Sequence, residues 1–437
     1  MSRPAARVPR AWLWGILGFA LLVRLVYLTA VLGLHSPIPH RYDDGIYHDL
    51  GRSIAAGQGM SVGGHPTAIV SPGYPAFIAA GYGLFGVDPA GPRLMQAVLG
   101  AATAVLLSLL TLELGLGTLA AACAGVMAAV YPSSIYFTGR YFPMILHLFL
   151  LVLAIYGLVR WNRGGGWWPL LSAVALGLGA LVRADLLMLI PILALAILLM
   201  RGWNRRALAA ALALIVVGGA LQLPWVMRNR ARLGAPILTT TFAWRTLWVG
   251  NNPWARGGFA LAPDVLARYA TPGSDVDLRP DMRDQLAALR RWHERDLQLT
   301  EVEGESAFAD MVTRWRREEP GRYAANIGRK LLAFASPWPG QGGDVLVRYR
   351  FVLALSFGVM LPLVVVGVAS TWRMLPERWL FLAVLMQALV TALVVFGHPR
   401  FRFAAEMAFM PFAAYGLVRA VDALQGRRRA EPSRARV

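Results

Sequence analysis

"AWLWGILGFALLVRLVYLTAVLGLHSPIPHRYDDGIYHDLGRSIAAGQG", residues 11–59, decides the class of fold. Residues 11–34 are almost wholly apolar, and as a helix they are long enough to cross a bilayer core, which takes about 17–25 residues. Residues 35–59 then turn polar and set two carboxylates, Asp43 and Asp44, side by side at the mouth of that run, with Tyr42 and Tyr47 around them. Asp43, Tyr47, Leu50 and Ile54 stand at helical spacing on one face. Gly57 and Gly59 would end such a helix. The expected form is a short helix at the membrane surface with Asp43 turned toward the protein body. "VSPGYPAFIAAGYGLFG" (70–86) reads as a turn followed by a second apolar helix, too brief to span.

The whole chain has the same character. Of its 437 residues 57% are hydrophobic and 15% charged, far too little polar surface for a soluble protein. Apolar runs predict spans near 11–34, 94–112, 116–137, 141–159, 167–182, 186–200, 207–227, 351–370, 379–396 and 403–418. The fold class is therefore an all-α polytopic membrane protein with roughly 10–12 transmembrane helices and two long external loops. The runs 167–182 and 186–200 are short, and with Pro191 they read as a tilted hairpin whose tip is Arg183–Asp185. The basic start, "MSRPAARVPR", looks like the head of a signal peptide, but the run behind it is long and carries Arg24, so a first transmembrane helix is expected.

A net charge of +19 invites a nucleic-acid reading, yet much of the Arg lies in short segments between apolar runs, where it sets orientation. Arg3, Arg7, Arg10, Arg160, Arg163, Arg201, Arg205, Arg206, Arg373, Arg378 and the tail "GRRRAEPSRARV" all fall on one side when the spans alternate, so both termini are expected in the cytoplasm. The expected location is the cell's inner membrane, with the two long loops facing outward. The divisions that follow are 1–227, a transmembrane module containing the first external loop 35–93; 228–350, an external domain; 351–420, the last helices; and 421–437, a basic tail. Lys330 is the only lysine and Cys123 the only cysteine, which excludes disulfides within the chain and a Cys-based metal site.

Several blocks resemble, in order, the large GT-C glycosyltransferases, nearest to bacterial aminoarabinose transferases and relatives of the protein O-mannosyltransferases (glycosyltransferase family 39-like). They are "DDGIYHDLGRSIAAGQGMSVGGHPTAIVSPGYPAFIAAGYGLFG" (43–86), "YPSSIYFTGR" (131–140), "GLGALVRADLLMLIP" (177–191), "LPWVMRNRARLGAPILTTTFAWRTLWVGNNPWARGGF" (223–259), "RWRREEPGRYAANIGRKLLAFASPW" (314–338) and "GHPRFRFAAEMAFMPF" (397–412). The resemblance implies GT-C architecture and transfer of a sugar from a polyprenyl-phosphate donor to a lipid, protein or glycan acceptor on the external face. It implies an acid at the start of the first external loop as catalytic base, four residues before a tyrosine, which selects Asp43 ahead of Tyr47; Asp44 takes the neighbouring position and helps orient the site. The chemistry fits. A lipid-phosphate leaving group departs as an anion, so the needs are a base for the acceptor and cations for the phosphate, and direct attack inverts the anomeric centre. The plain alternative is that both acids cap a surface helix.

Arg140, Arg228 with Asn229, Arg400 and Arg402 reach the same membrane surface as Asp43 and are the candidate phosphate contacts, against the reading of each as an interfacial Arg reaching lipid headgroups. Arg183 and Asp185 are either an ion pair or substrate contacts. Asn251 and Asn252 in "VGNNPWARGGF" suit sugar hydroxyls, although Asn-Asn-Pro is also ordinary turn chemistry. His65 and Tyr74 complete the substrate-side candidates, and Glu406, costly in a span unless paired, is expected beside Arg400 or Arg402 as the inner wall. No spacing specifies a metal site, and no cofactor is indicated, although several acids are available to a divalent ion. Two departures from the family pattern stand out: Met144 where many members have an acid, and Ser71 where aminoarabinose transferases have a lysine. Two rival classes remain, a lipid or sugar transporter, favoured by Arg24 and Glu406, and an inactive cell-envelope scaffold.

Overall fold

A computed structural model describes residues 9–39, 43–258, 300–338 and 344–430. Arg3, Arg7, Tyr42, much of the second loop and the end of the basic tail, all invoked above, lie outside the described residues. α1 (Arg10–Val26) continues as a π-helical stretch, Tyr27–Leu32, and stops at Gly33, whose φ of 81° ends the helix. α2 (Asp43–Ala55) opens on its two acids, which suit the positive end of a helix. It ends at Gly57 and Gly59, both at positive φ. A two-stranded hairpin follows, β1 (Ser61–Val62) with β2 (His65–Pro66), turning on Gly63 and Gly64 at φ 58° and 82°, values that favour glycine.

α3 (Gly73–Phe85) is the short apolar helix expected after the first loop. A Cβ on Gly51 would sit 2.4 Å from Ile78 Cγ2, so α2 and α3 touch at a distance only glycine allows. Then come α4 (Ala90–Glu113), α5 (Thr118–Ala129), α6 (Pro132–Gly139), α7 (Met144–Gly164), α8 (Trp168–Val182), α9 (Asp185–Arg201), α10 (Arg205–Ala220), α11 (Leu223–Leu233) and α12 (Ala243–Gly250). Beyond the second loop lie α13 (Glu301–Glu318), α14 (Pro320–Ala335), α15 (Asp344–Thr371), α16 (Arg378–Val394), α17 (Pro399–Ala408) and α18 (Met410–Ala430).

Among the described residues five helices are long and apolar enough to cross a membrane, or seven when the bent pairs α5–α6 (42°) and α17–α18 (63°) each count as one. The three remaining predicted runs are the shorter helices α8, α9 and α16. Every predicted run is thus helical, with 116–137, 207–227 and 403–418 each divided between two helices, and α8–α9 is the predicted hairpin, broken at Arg183. α11 runs past the predicted boundary at 227 to Leu233, and α15 begins at Asp344, ahead of the predicted 351.

α4 is central, packed on α1, α5 and α7; α15 lies along α18, and α16 against α9. Close approach of α15 and α18 is made by Gly367 and Gly416, where a Cβ would fall 1.9 Å from Phe412 O and 2.1 Å from Leu363 O. Arg24 is fully buried between α1, α4 and α5, where it donates to Ala20 O, Ala129 O and Ser134 Oγ. These acceptors take protons from both terminal nitrogens of a guanidinium inside a span, while its Nε is buried without a hydrogen-bond partner. At one end of the bundle Arg160 pairs with Glu113, and Arg163 reaches Glu377 at 2.7 Å. α2, α17 and the α8–α9 turn meet at the other end.

Candidate functional site

Adjacent on α2, Asp43 and Asp44 have opposite surroundings. Asp44 is 1% exposed; its Oδ1 accepts from Arg140 Nε at 2.9 Å and from the Tyr141 backbone N–H at 2.9 Å, while Oδ2 takes a second Arg140 bond. Arg140 also donates to Tyr136 Oη at 3.1 Å. Asp43 has a side chain 56% exposed and, among the described residues, a cationic neighbour in Arg400, with Nη1 3.6 Å from Oδ2. The expectation that Asp43 faces the protein body is therefore corrected: Asp44 is the inward residue, drawn in by the Arg140–Tyr141 corner that follows α6. Asp43, one residue earlier at the helix start, is rotated away from that corner.

Arg400 lies in an aromatic cradle, its guanidinium 5.7 Å from the Phe142 ring centroid, 5.2 Å from Phe396 and 5.2 Å from Phe401. Its Nε is buried with no hydrogen-bond partner. His398 caps α17 by accepting from Arg400 N at 3.1 Å, with Pro399 at the first helical position. Phe401 also has Arg183 beside it, whose guanidinium is 5.8 Å from that ring and 2.7 Å from Asp185 Oδ2. So the hairpin tip is an ion pair, and it adjoins the site. Met144 and His147 back it: Arg183 Nη1 is 3.6 Å from Met144 Sδ, and His147 Nδ1 is 3.8 Å from Asp185 Oδ1. Tyr47 comes in from α2, edge-on to Tyr74 at 5.0 Å. Burial, and then the charge of Asp43, push its phenol pKa well up.

The structure thus gathers Asp43, Tyr47, Arg183, Asp185 and Arg400 at one place, with Asp44 and Arg140 locked behind them. Other candidates serve elsewhere. Arg402 is 3% exposed, pairs with Glu406, donates to Phe334 O and Ser336 O and lies 3.6 Å over the Phe357 ring. Glu406 also accepts from Tyr131 Oη at 2.6 Å, so the expected Arg402–Glu406 pairing is present, as a sealed unit. Arg228 holds the first loop by donating to Met60 O at 2.5 Å and Thr67 O at 2.8 Å, and Asn229 donates to Ile237 O. Tyr74 is fully buried and bonds Gln96. His65 is exposed on the hairpin.

The sugar-binding expectation for Asn251 and Asn252 is also corrected, because both are buried and their amides are spent inside the fold. Asn252 closes its own turn by donating to Trp248 O and accepting from Trp254 N. Asn251 donates to Leu247 O and Val394 O and accepts from Lys330.

Three residues escaped the sequence reading. Lys330, noticed only as the lone lysine, is fully buried, and burial holds its pKa down to about 7. Glu301 joins the two loops, accepting from Thr67 Oγ1 at 2.8 Å, Ala68 N at 3.2 Å and Thr241 Oγ1. Glu305, one turn on, accepts from Trp244 N, and burial raises its pKa to about 7. Glutamates four residues apart, Glu301 and Glu305, were the available signal. Among the described residues no three His, Cys, Asp or Glu side chains converge as a metal site.

Residues 65–227 match the family model described as dolichyl-phosphate-mannose-protein mannosyltransferase. The Archaeoglobus fulgidus oligosaccharyltransferase in its apo form is similar at TM-score 0.55 and 15% identity, over 97% of this chain and 52% of that one. The oligosaccharyltransferase AglB of that organism, in complex with an inhibitory peptide and a dolichol-phosphate, matches at TM-score 0.52 and 15% identity with the same coverage. ArnT from Cupriavidus metallidurans matches at TM-score 0.45 and 16% identity, over 93% of this chain and 78% of that one. No curated protein matches the sequence. The chain spans about half the length of the oligosaccharyltransferases. Their likeness over nearly all of it, with the family match from β2 into α11, makes this an all-helical, multi-pass membrane protein of GT-C architecture.

Proposed function

We propose that the protein is an integral-membrane glycosyltransferase that takes a sugar from a polyprenyl-phosphate donor and passes it to a lipid, protein or glycan acceptor on the external face. Asp43 is the general base. Arg400 receives the phosphate, with Arg183 as the second cation. The observation that carries the reading is the Asp43–Arg400 arrangement: an accessible carboxylate 3.6 Å from a cradled guanidinium that has donors to spare. A base and an anion site side by side are what an inverting transfer from a lipid phosphate requires. The family description names a dolichyl-phosphate sugar, and AglB was solved with a dolichol-phosphate, which supports a polyprenyl carrier here.

In mechanism, Asp43 accepts the proton of the acceptor as its oxygen or nitrogen attacks the anomeric carbon. The bond to phosphate breaks on the opposite face, and the electron pair leaves with the phosphate, whose charge Arg400 stabilises. Asp44 is turned away from the acceptor, and Arg140 and the Tyr141 amide occupy its oxygens. Its part is to fix the first turn of α2. Tyr47 contributes a neutral hydroxyl beside both groups.

The test compares wild type with Asp43→Asn, purified in detergent, against a panel of polyprenyl-phosphate sugars and acceptor extracts, following release of free polyprenyl phosphate. Turnover lost in the variant with donor binding kept supports the reading. Normal turnover in Asp43→Asn overturns the base assignment. A wild type that binds no donor overturns the transferase, and flux of donor across liposomes would then favour a transporter.

A further inference from the structure

Lys330 is the exception in a chain whose every other Lys-or-Arg position is arginine. It is fully buried in α14, and no carboxylate among the described residues pairs with it. Nζ instead donates to Asn251 Oδ1 at 2.6 Å, Leu393 O at 3.0 Å and Val394 O at 3.2 Å. An ammonium has three protons, and three acceptors stand around it. A guanidinium is larger and planar, with its donors in a fixed fork, and does not fill that place.

These bonds hold the last carbonyls of α16, and the chain beyond them is woven in by glycine backbone and the Asn326 amide. Gly397 N donates to Gly257 O at 2.8 Å, Gly257 N to Asn326 Oδ1 at 2.8 Å, and Asn326 Nδ2 to Gly250 O at 2.9 Å. The contact is tight enough that a Cβ on Gly250 would lie 1.8 Å from Val395 O, and one on Gly397 2.5 Å from Lys330 O. Between Val395 and Gly397 sits Phe396, 1% exposed, whose ring lies 5.2 Å from the Arg400 guanidinium.

We infer that Lys330 is a positioning residue for Arg400: its ammonium ties α14 and the segment around Asn251 to the end of α16, and so fixes the aromatic floor on which Arg400 meets the lipid phosphate. This rests on the phosphate-binding reading of Arg400. The site is then governed from the second loop, because whatever moves α14 moves Phe396 and the guanidinium above it.

The test uses the full chain in detergent with undecaprenyl phosphate as the probe. Dissociation constants are measured for wild type, Lys330→Met, Lys330→Arg, Arg400→Gln and the Lys330→Met/Arg400→Gln double variant, alongside thermal stability. Arg400→Gln is expected to weaken binding about tenfold, the worth of a charge-assisted hydrogen bond. Lys330→Met should weaken it similarly, Lys330→Arg should not restore it, and the double variant should bind no worse than Arg400→Gln alone. Gly397→Ala, which pushes on the Lys330 carbonyl but keeps the Lys330 side chain, should behave like Lys330→Met and serves if that variant does not fold. Because the chain has one lysine, [15Nζ]lysine labelling gives a single signal, expected to shift on lipid binding in wild type and not in Arg400→Gln.

Losses that multiply in the double variant, or an Nζ signal indifferent to bound lipid, overturn the inference while leaving the phosphate site standing. Wild-type binding in Arg400→Gln overturns the phosphate site, and the positioning role with it.

Discussion

Asp44 and Arg140, 96 residues apart, meet in a two-pronged ion pair that also collects the Tyr141 amide, while Asp43 next to it keeps its carboxylate largely in solvent. Neighbouring acids therefore divide the work. Asp44→Asn, which strips the charge facing a half-buried guanidinium, is expected to cost about 3 kcal/mol of stability. Asp43→Asn should change stability by less than about 0.5 kcal/mol, as at an ordinary surface position. Its turnover should fall by about 10²–10⁴, the usual worth of a general base. Thermal unfolding in detergent and turnover of the same two preparations check both expectations. Loss of stability in Asp43→Asn would show that the two roles are exchanged.

The bundle is expected to answer very differently to alanine at two glycines. Gly416→Ala puts a methyl group against Leu363 O and must separate α15 from α18, a cost of about 1–3 kcal/mol for overpacking. Gly219→Ala, near the end of α10 with nothing within 4 Å of the new carbon, should stabilise by up to about 1 kcal/mol through helix propensity. Melting temperatures of the pair, measured together in one detergent, decide it.

Glu305 predicts the direction of pH dependence in the second loop. Burial raises its folded pKa from 4.5 to about 7, so the folded chain keeps a proton that the unfolded chain releases. Its contribution is favourable at acid pH, is lost as pH rises from about 4.5 to about 7, and is flat beyond. Glu305→Gln should therefore gain stability relative to wild type at pH 8 and gain little at pH 4.5. Parallel melts across that range test it, and a constant difference would show that Glu305 does not titrate there.

Arg140 offers a test of shape as opposed to charge. Lysine keeps the charge but cannot reproduce the paired bonds to both oxygens of Asp44. Arg140→Lys should lose turnover with only a small change in donor binding, because Arg400 remains. Equal loss of binding would mean that Arg140 also touches the phosphate.

How much of this could be read beforehand follows from the range of the forces involved. Apolar runs are local, and every predicted run proved to be helical, though three are divided between two helices; the Arg183–Asp185 turn was legible because a pair of charges must leave the apolar interior. Which acid of the pair faces inward was not legible, since Asp44's partners lie 96 and 97 residues downstream. Spacing alone gave α2 a buried face through Leu50, which is correct, but the inward acid depends on where the α6–α7 corner lies. Asn251 and Asn252 looked like ligand-binding amides because a loop asparagine has the same composition whether it meets a sugar or a carbonyl. Only the backbone of Val394 and the Lys330 ammonium, both distant in sequence, show that Asn251 is already occupied.

The carboxylate of Glu301 bears on the order of synthesis. It accepts from Thr67 and Ala68 across more than 230 positions of chain. At ribosomal speeds of about 5–20 residues per second, the segment after the hairpin waits roughly 10–50 s for this partner to emerge. During that interval α2, with both its acids, has already been made but is not yet fastened at this point. The nascent protein therefore holds an unfinished centre until most of its helices exist, and a truncated product ending before residue 301 lacks the clasp altogether.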